Sequence, residues 1–191
     1  MFKRIQKFDE MISIYWAWNN RHFSEKTKRF LRSYVRLGDG YLWIVFAIIL
    51  FIHIGWRAFI PVAMESGITI GLTLGIYEII KLNTKRPRPF SVLDTLKPQV
   101  PPMDKYSFPS GHTMNNLAVA TAVTVAEPRY GWIMMLFPLS WGLLRVYFGV
   151  HWFTDVICGF IFGILCFVIT HYLIWIHLAV LLQDLIPVLQ F

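Results

Sequence analysis

Residues 41–82 read YLWIVFAIILFIHIGWRAFIPVAMESGITIGLTLGIYEIIKL, and this stretch decides the fold class. The run 41–60 is mostly apolar and matches the about 20 residues that a helix needs to cross a hydrocarbon core. Pro61 punctuates it, and 62–82 supply a second apolar run. Gly67, Gly71 and Gly75 recur there at every fourth position. On a helix they share one face, where small residues let backbones approach, so this stripe is expected to pack against another helix.

Further apolar runs follow toward the C-terminus. One extends from Ser110 to Ala126 and is stopped by Glu127 and Pro128. The next extends from Tyr130 to Phe148, and the last from Trp152 to about Leu182. At about 1.5 Å per residue the last would reach about 46 Å, beyond the roughly 30 Å core, so it should tilt or bend into the interface near Asp184 and Pro187. The expectation is an all-α, polytopic membrane helix bundle of five transmembrane helices, or six if the last run folds back. Residues 1–191 read as one integral membrane domain: a basic segment over 1–40, then the bundle over 41–191 with a long loop at 83–108.

Toward the N-terminus the pattern is mixed. Phe8, Met11, Ile12, Tyr15, Trp16 and Trp18 alternate with polar residues, and Arg21 to Arg36 is basic around Phe30, Leu31 and Tyr34. Such a stretch suits an amphipathic helix, or a pair of helices, lying in the membrane interface. Gly38, Asp39 and Gly40 then break it. Lys3, Arg4 and Lys7 are followed by Asp9 and Glu10, with no small-residue cleavage site, so no cleavable signal peptide is expected.

Composition agrees. The 191 residues are 56% hydrophobic and 15% charged, where soluble chains carry about 25% charge. Residues 1–40 hold nine basic and four acidic groups, so +5 of the net +7 lies there. A basic apron beside an apolar bulk favours anionic headgroups over nucleic acid, for which no motif is present. Cys158 and Cys166, about 12 Å apart if helical, are too far apart for a disulfide.

The loop 83–108 is different in kind, with prolines at 87, 89, 98, 101 and 102 and charges at Lys85, Arg86, Arg88, Asp94, Lys97, Asp104 and Lys105. Ionisable groups at membrane boundaries are costly and therefore functional candidates. By the span count three clusters fall on one side: Lys81 to Pro89, Pro109 to His112, and Arg145 to Asp155. Together they suit an oxyanion. Arg88 and Arg145 can grip phosphate through guanidinium forks, and Lys81 adds a compact charge. Ser110 at an N-cap would leave the Gly111 and His112 N–H groups facing an anion, assisted by the helix dipole. His151 and Asp155, four apart, share a helical face, so the carboxylate can hold one ring nitrogen and leave the other as nucleophile. His112 is placed to protonate a leaving oxygen.

Lys81, Arg88 and Pro89, then Pro109 to His112, then Arg145, His151 and Asp155, in that order and spacing, resemble the type-2 phosphatidic acid phosphatase superfamily. That resemblance implies a membrane lipid phosphatase in which His151 forms a phosphohistidine, Asp155 orients it and His112 acts as general acid and then activates water. It implies that Lys81, Arg88, Ser110, Gly111 and Arg145 bind the phosphate, and that no metal or other cofactor is needed. One departure is Leu144, where the family often has Ser. Vanadium-dependent haloperoxidases resemble the same motifs but are soluble.

Other ionisable groups read as structural. His53, His171 and His177 suit packing, Arg57 snorkelling to the boundary, and Glu65 and Glu78 packing or lining an access path. Lys85 and Arg86 read as solvated loop charges, with a part in phosphate recognition as the alternative. His112, His151 and Asp155 could in principle hold zinc, but the surrounding cations would repel it. A lipid phosphotransferase would use the same site with another acceptor. An anion channel would need the basic groups but not a His–Asp pair facing a second His. The positive-inside rule places the basic N-terminus and the loop in the cytoplasm. The resemblance instead implies a bacterial plasma membrane enzyme with its site on the extracytoplasmic face. Expected partners are a lipid phosphate and membrane lipids. Phosphatidylglycerophosphate, phosphatidate, undecaprenyl diphosphate and lipid A phosphates all fit.

Overall fold

The structure, a computed structural model, describes residues 2–19 and 23–182. Among these residues the regular structure is helical, with no strand. Helix α1 covers Phe2–Asn19 and α2 covers Glu25–Arg36, capped by Ser24, whose hydroxyl accepts the Thr27 N–H at 3.1 Å. A tight turn at Leu37–Asp39 leads into α3, Tyr41–Thr84, which is broken internally at Gly55. The short α4, Pro89–Val92, follows. Then come α5 (Gly111–Ala126), α6 (Pro128–Tyr147), α7 (Phe153–Ile169), a π-helical turn (Thr170–Trp175) and α8 (Ile176–Leu182).

The break in the opening stretch lies at Gly55 and not at Pro61. Gly55 adopts φ 74° and ψ 164°, a conformation that glycine alone adopts without a Cβ penalty. Pro61 sits inside the following helix, where it forfeits one backbone hydrogen bond without ending the helix. The chain reverses at this corner. Trp43 near the start of α3 bonds Asn116 of α5, and Tyr77 near its end lies against Gly111. The intervening Leu50, Ile54 and Phe59 pack with Val123 and Met134, toward the other end of the bundle. Arg57, exposed beside the corner, stacks over Trp56.

Helix α5 is the central element and packs against α3, α6 and α7. Its alanines and threonines give it a narrow profile, and Leu117, Ala118 and Ala120 are fully buried. Its end follows from sequence: Glu127, preceding a proline, leaves helical geometry, and Pro128 starts α6 at a position that needs no N–H. The close helix contacts use other glycines than expected. A methyl on Gly163 would meet the Met114 carbonyl oxygen at 2.6 Å, and one on Gly159 would meet the Ser110 carbonyl oxygen at 3.0 Å. Among the described residues nothing lies within 4 Å of a Cβ added at Gly67, Gly71 or Gly75, so that stripe packs against no described helix.

The bundle is apolar on its outside. Ile48, Ile52, Ile79, Leu136, Leu173 and Leu181 are exposed, whereas Lys81, Arg88 and Arg145 are buried. That inversion suits a lipid surround. Two helical stretches, 41–92 and 153–182, are long and apolar enough to cross a membrane. The second continues helically through the π-turn to Leu182 without folding back. Asp184 and Pro187, where a bend is expected, and the side chain of Trp18 and residue Arg21 lie outside the described positions.

Helix α1 exposes Ile5, Phe8, Met11, Ile14 and Tyr15 and buries Asp9 and Ser13 on the opposite face. It lies against α6 and α7, with Phe8 edge-on to Phe153. Helix α2 docks on α6 through a 2.6 Å hydrogen bond between the Tyr34 and Ser140 hydroxyls. The basic apron is therefore two packed helices.

Candidate active site

A cavity of about 620 Å³ opens between the two arms of α3, the N-terminal part of α5 and the loop after α4. Arg88, Gly111, His112, Arg145 and His151 line it. Of the other residues singled out from sequence, Lys81, Ser110 and Asp155 are buried just behind this lining. Groups 70 positions apart in sequence thus meet at one end of the bundle.

His151 is held by the turn that joins α6 to α7. The Val150 and His151 N–H groups donate to the Arg145 carbonyl at 3.1 and 3.3 Å, and Gly149 takes φ 71°. The His151 Nδ1 lies 2.7 Å from the Ser107 carbonyl oxygen. A carbonyl can only accept, so Nδ1 carries the proton and Nε2 keeps its lone pair. That Nε2 faces Arg88, 3.4 Å from Nη1. Asp155 Oδ2 stands farther off, 3.5 Å from Nδ1, and accepts the Trp152 N–H at 2.8 Å. The principal ring contact expected of Asp155 is therefore made by a backbone oxygen. Burial, with Arg145 and Arg88 close by, pushes the His151 imidazole well below its usual range, which favours the neutral ring.

The cations are built in. Arg88 extends from the residue before Pro89, donating from Nη1 to the Val150 carbonyl at 2.6 Å and from Nε to the Asp104 carbonyl at 3.0 Å. Arg145 is buried on α6, and its Nε has no hydrogen-bond partner among the described residues. A buried guanidinium with an unfilled donor is suited to receive an anion. Gly111 brings backbone to the cavity wall, and a methyl there would meet the Tyr77 ring at 3.0 Å. Ser110 is the N-cap of α5 by backbone geometry, but its hydroxyl makes no capping bond; it accepts from the Thr113 hydroxyl at 3.1 Å.

His112 lies across the cavity. Its Nε2 is 3.0 Å from Asp39 Oδ1 without hydrogen-bond alignment and has no hydrogen-bond partner among the described residues. The backbone of Val35 holds the ring. Asn116 donates to the carbonyls of Gly38 and His112 at 3.0 and 2.8 Å and so ties the Gly38–Gly40 turn to α5.

Asp104 was not singled out by any motif. Its carboxylate receives Lys81 at 2.5 Å, Arg88 at 2.8 Å and the Tyr77 hydroxyl at 2.8 Å, and Lys81 also contacts Tyr77. Burial alone would raise this carboxyl, but the hydrogen bonds from Lys81 and Tyr77 outweigh it and hold it at about 2. The carboxylate thus occupies two of the three cations expected to bind phosphate. Arg86, expected to be a solvated loop charge, is instead paired with Asp9 and Asp155, each at 2.6 Å. Midway along α3, Glu65 Oε1 lies 2.6 Å from His171 Nδ1, so His171 is a hydrogen-bond partner and not a simple packing residue. Among the described residues no cluster of three or more His, Cys, Asp or Glu could hold a metal.

An apolar helix bundle that gathers arginines and two histidines around one cavity at its end defines a membrane protein with an oxyanion-suited pocket. The chain belongs to the PAP2 superfamily, whose family model matches residues 62–178. It is 31% identical over 135 residues to an undecaprenyl-diphosphatase of Sulfolobus acidocaldarius, covering 70% of this chain and 63% of that protein. It is 33% identical over 102 residues to undecaprenyl-diphosphatase BcrC of Bacillus subtilis, covering 53% and 52%. The chain thus aligns with somewhat less than two thirds of the length of either relative. Among solved structures, Aquifex aeolicus LpxE superposes with a TM-score of 0.67 at 26% identity, over 87% of this chain and 93% of that one. A transmembrane PAP2-type phosphatidylglycerolphosphate phosphatase from Bacillus subtilis superposes with a TM-score of 0.61 at 23% identity, over 88% and 85%, and shares the fold.

Proposed function

We propose that this protein is a membrane lipid phosphatase that removes phosphate from a lipid phosphate ester or diphosphate through a phosphohistidine on His151. The observation that carries this is the pairing of a neutral His151, its Nε2 lone pair turned toward the arginines, with His112 across one cavity. In the first step His151 Nε2 attacks phosphorus, and the bond from phosphorus to the leaving oxygen breaks. His112 gives that oxygen its proton. In the second step water attacks phosphorus, His112 takes the water proton, and the P–N bond breaks to release inorganic phosphate. Arg88, Arg145 and the Gly111 amide hold the phosphoryl oxygens, with Lys81 behind them, and Ser110 supports the start of α5. No step calls on a metal.

The lipid tail has a route. The cavity extends from His151 past Leu74 and Ile70 to Gly67 on α3, flanked by Val119 of α5. That is an apolar corridor beginning at a charged end, as an amphiphile requires. The named relatives hydrolyse undecaprenyl diphosphate, so a polyprenyl diphosphate is the favoured substrate class. The chain acts as a single domain with five spans in a bacterial plasma membrane, its site on the extracytoplasmic face.

Purified protein in detergent should release phosphate from at least one of undecaprenyl diphosphate, farnesyl diphosphate, phosphatidylglycerophosphate and phosphatidate, and His151→Ala should release none. Equal release by wild type and His151→Ala, or none from any of these lipids, overturns the proposal. Cysteine placed at Thr95 should react with an impermeant reagent in intact cells; protection would put the site on the cytoplasmic face.

A further inference from the structure

We propose that Asp9 and Arg86 are positioning residues for the His151 reaction, so that α1 is part of the active site. The inference rests on the reading of His151 as nucleophile. Asp9 is fully buried although it belongs to a helix at the edge of the bundle. Its Oδ1 accepts the Thr154 N–H at 3.0 Å, and its Oδ2 accepts the Thr154 hydroxyl at 2.5 Å and Arg86 Nη2 at 2.6 Å. Arg86 Nη1 donates to the Thr154 hydroxyl at 2.8 Å and to Asp155 Oδ1 at 2.6 Å. The other Asp155 oxygen faces His151. A continuous polar chain therefore runs from the N-terminal helix to the imidazole.

Its charges explain why two carboxylates share one guanidinium. Paired with Arg86 alone, Asp155 would be a neutralised ion pair, unable to offset the positive charge that develops on the His151 ring as the P–N bond forms. With Asp9 on the same guanidinium, the triplet Asp9, Arg86 and Asp155 keeps a formal charge of −1 next to the ring. The low-dielectric surroundings make that charge effective. Arg86 also acts through the backbone. Its carbonyl accepts the Ser107 N–H at 2.9 Å, and Ser107 is the residue whose carbonyl holds His151 Nδ1. The guanidinium and the carbonyl of one residue thus control both contacts of the nucleophile's Nδ1.

The experiment is a steady-state comparison of Asp9→Asn, Arg86→Lys and Lys85→Ala with wild type, using farnesyl diphosphate in detergent micelles and following melting temperature in parallel. Asp9→Asn preserves shape and removes the charge. We expect its kcat to fall roughly tenfold or more, as loss of an outer hydrogen-bonding partner typically does, with KM within about twofold because no phosphate contact is lost. Arg86→Lys keeps a positive charge but cannot bridge two carboxylates and should fall similarly. Exposed Lys85→Ala should match wild type. If Asp9→Asn does not fold, Arg86→Lys carries the test alone. A folded variant with wild-type kcat, or a loss expressed as raised KM with kcat kept, overturns the proposal. Because His151→Ala is measured alongside, a dead His151→Ala with fully active Asp9→Asn and Arg86→Lys refutes this inference alone, whereas an active His151→Ala refutes the phosphatase mechanism beneath it.

Discussion

The Ser107 carbonyl oxygen lies 2.7 Å from His151 Nδ1, while the nearest Asp155 oxygen is 3.5 Å away. The tautomer of the proposed nucleophile is thus fixed by the Ser107 carbonyl, and the carboxylate acts at one remove. Asp155→Asn should lower kcat by about 100-fold or more yet leave measurable phosphate release, because Ser107 still holds the proton on Nδ1. His151→Ala should leave none. Single-turnover trapping of acid-labile phosphoprotein should follow the same order.

Asp104 sits on Lys81 and Arg88, where a phosphate is proposed to bind. A substrate phosphate must share or displace that carboxylate. Asp104→Asn should therefore strengthen inhibition by inorganic phosphate several-fold, read as a lower inhibition constant. An unchanged or weaker inhibition would show that Asp104 only organises the cations.

The same carboxyl predicts an acid limit. It titrates at about 2 in the folded chain against 3.8 in its ordinary state. A depressed carboxyl contributes stability that is complete above the unfolded value and lost as pH falls through the folded one. Between about pH 4 and pH 2 wild type should lose more melting temperature than Asp104→Asn, measured at matched ionic strength in one detergent.

Asp39 faces the proposed general acid at 3.0 Å. Asp39→Asn removes a charge that favours the protonated imidazole, so the second-step role of His112 as proton acceptor should weaken. We expect a several-fold fall in kcat and accumulation of phosphoenzyme in rapid-quench samples. Unchanged phosphoenzyme levels would limit Asp39 to holding the turn.

Gly163→Val should lower the melting temperature strongly, because its first added carbon already meets the Met114 carbonyl oxygen at 2.6 Å. Gly71→Val should be tolerated, since among the described residues nothing lies within 4 Å of its added carbon.

How much of this was legible in the sequence follows from what sequence encodes. Lys81, Arg88, His112, Arg145, His151 and Asp155 stood out because their chemistry and spacing repeat a known pattern. Asp9 and Arg86, 77 positions apart, meet only because α1 folds back onto α7, and no spacing rule announces such a pair. The Ser107 contact is a backbone oxygen, which every residue possesses. Gly55 and Pro61 are both helix breakers six residues apart, and the corner formed where positive φ was available. The glycine periodicity over 67–75 identified a face but not what that face meets, and the same spacing on α7, at Gly159 and Gly163, proved to be the packed one.

The open face of Gly67, Gly71 and Gly75 carries a consequence for how the protein can change. Each glycine forgoes about 1 kcal/mol of helix propensity relative to alanine, and no neighbouring atom among the described residues requires that sacrifice. Gly67 lines the cavity, so side chains of increasing size at that position would narrow the corridor in steps while the helix gains rigidity. Under the proposed function, tolerance for bulky or branched lipid tails is thereby separable from folding, so descendants of this chain could trade one tail for another without rebuilding the chemistry proposed at His151.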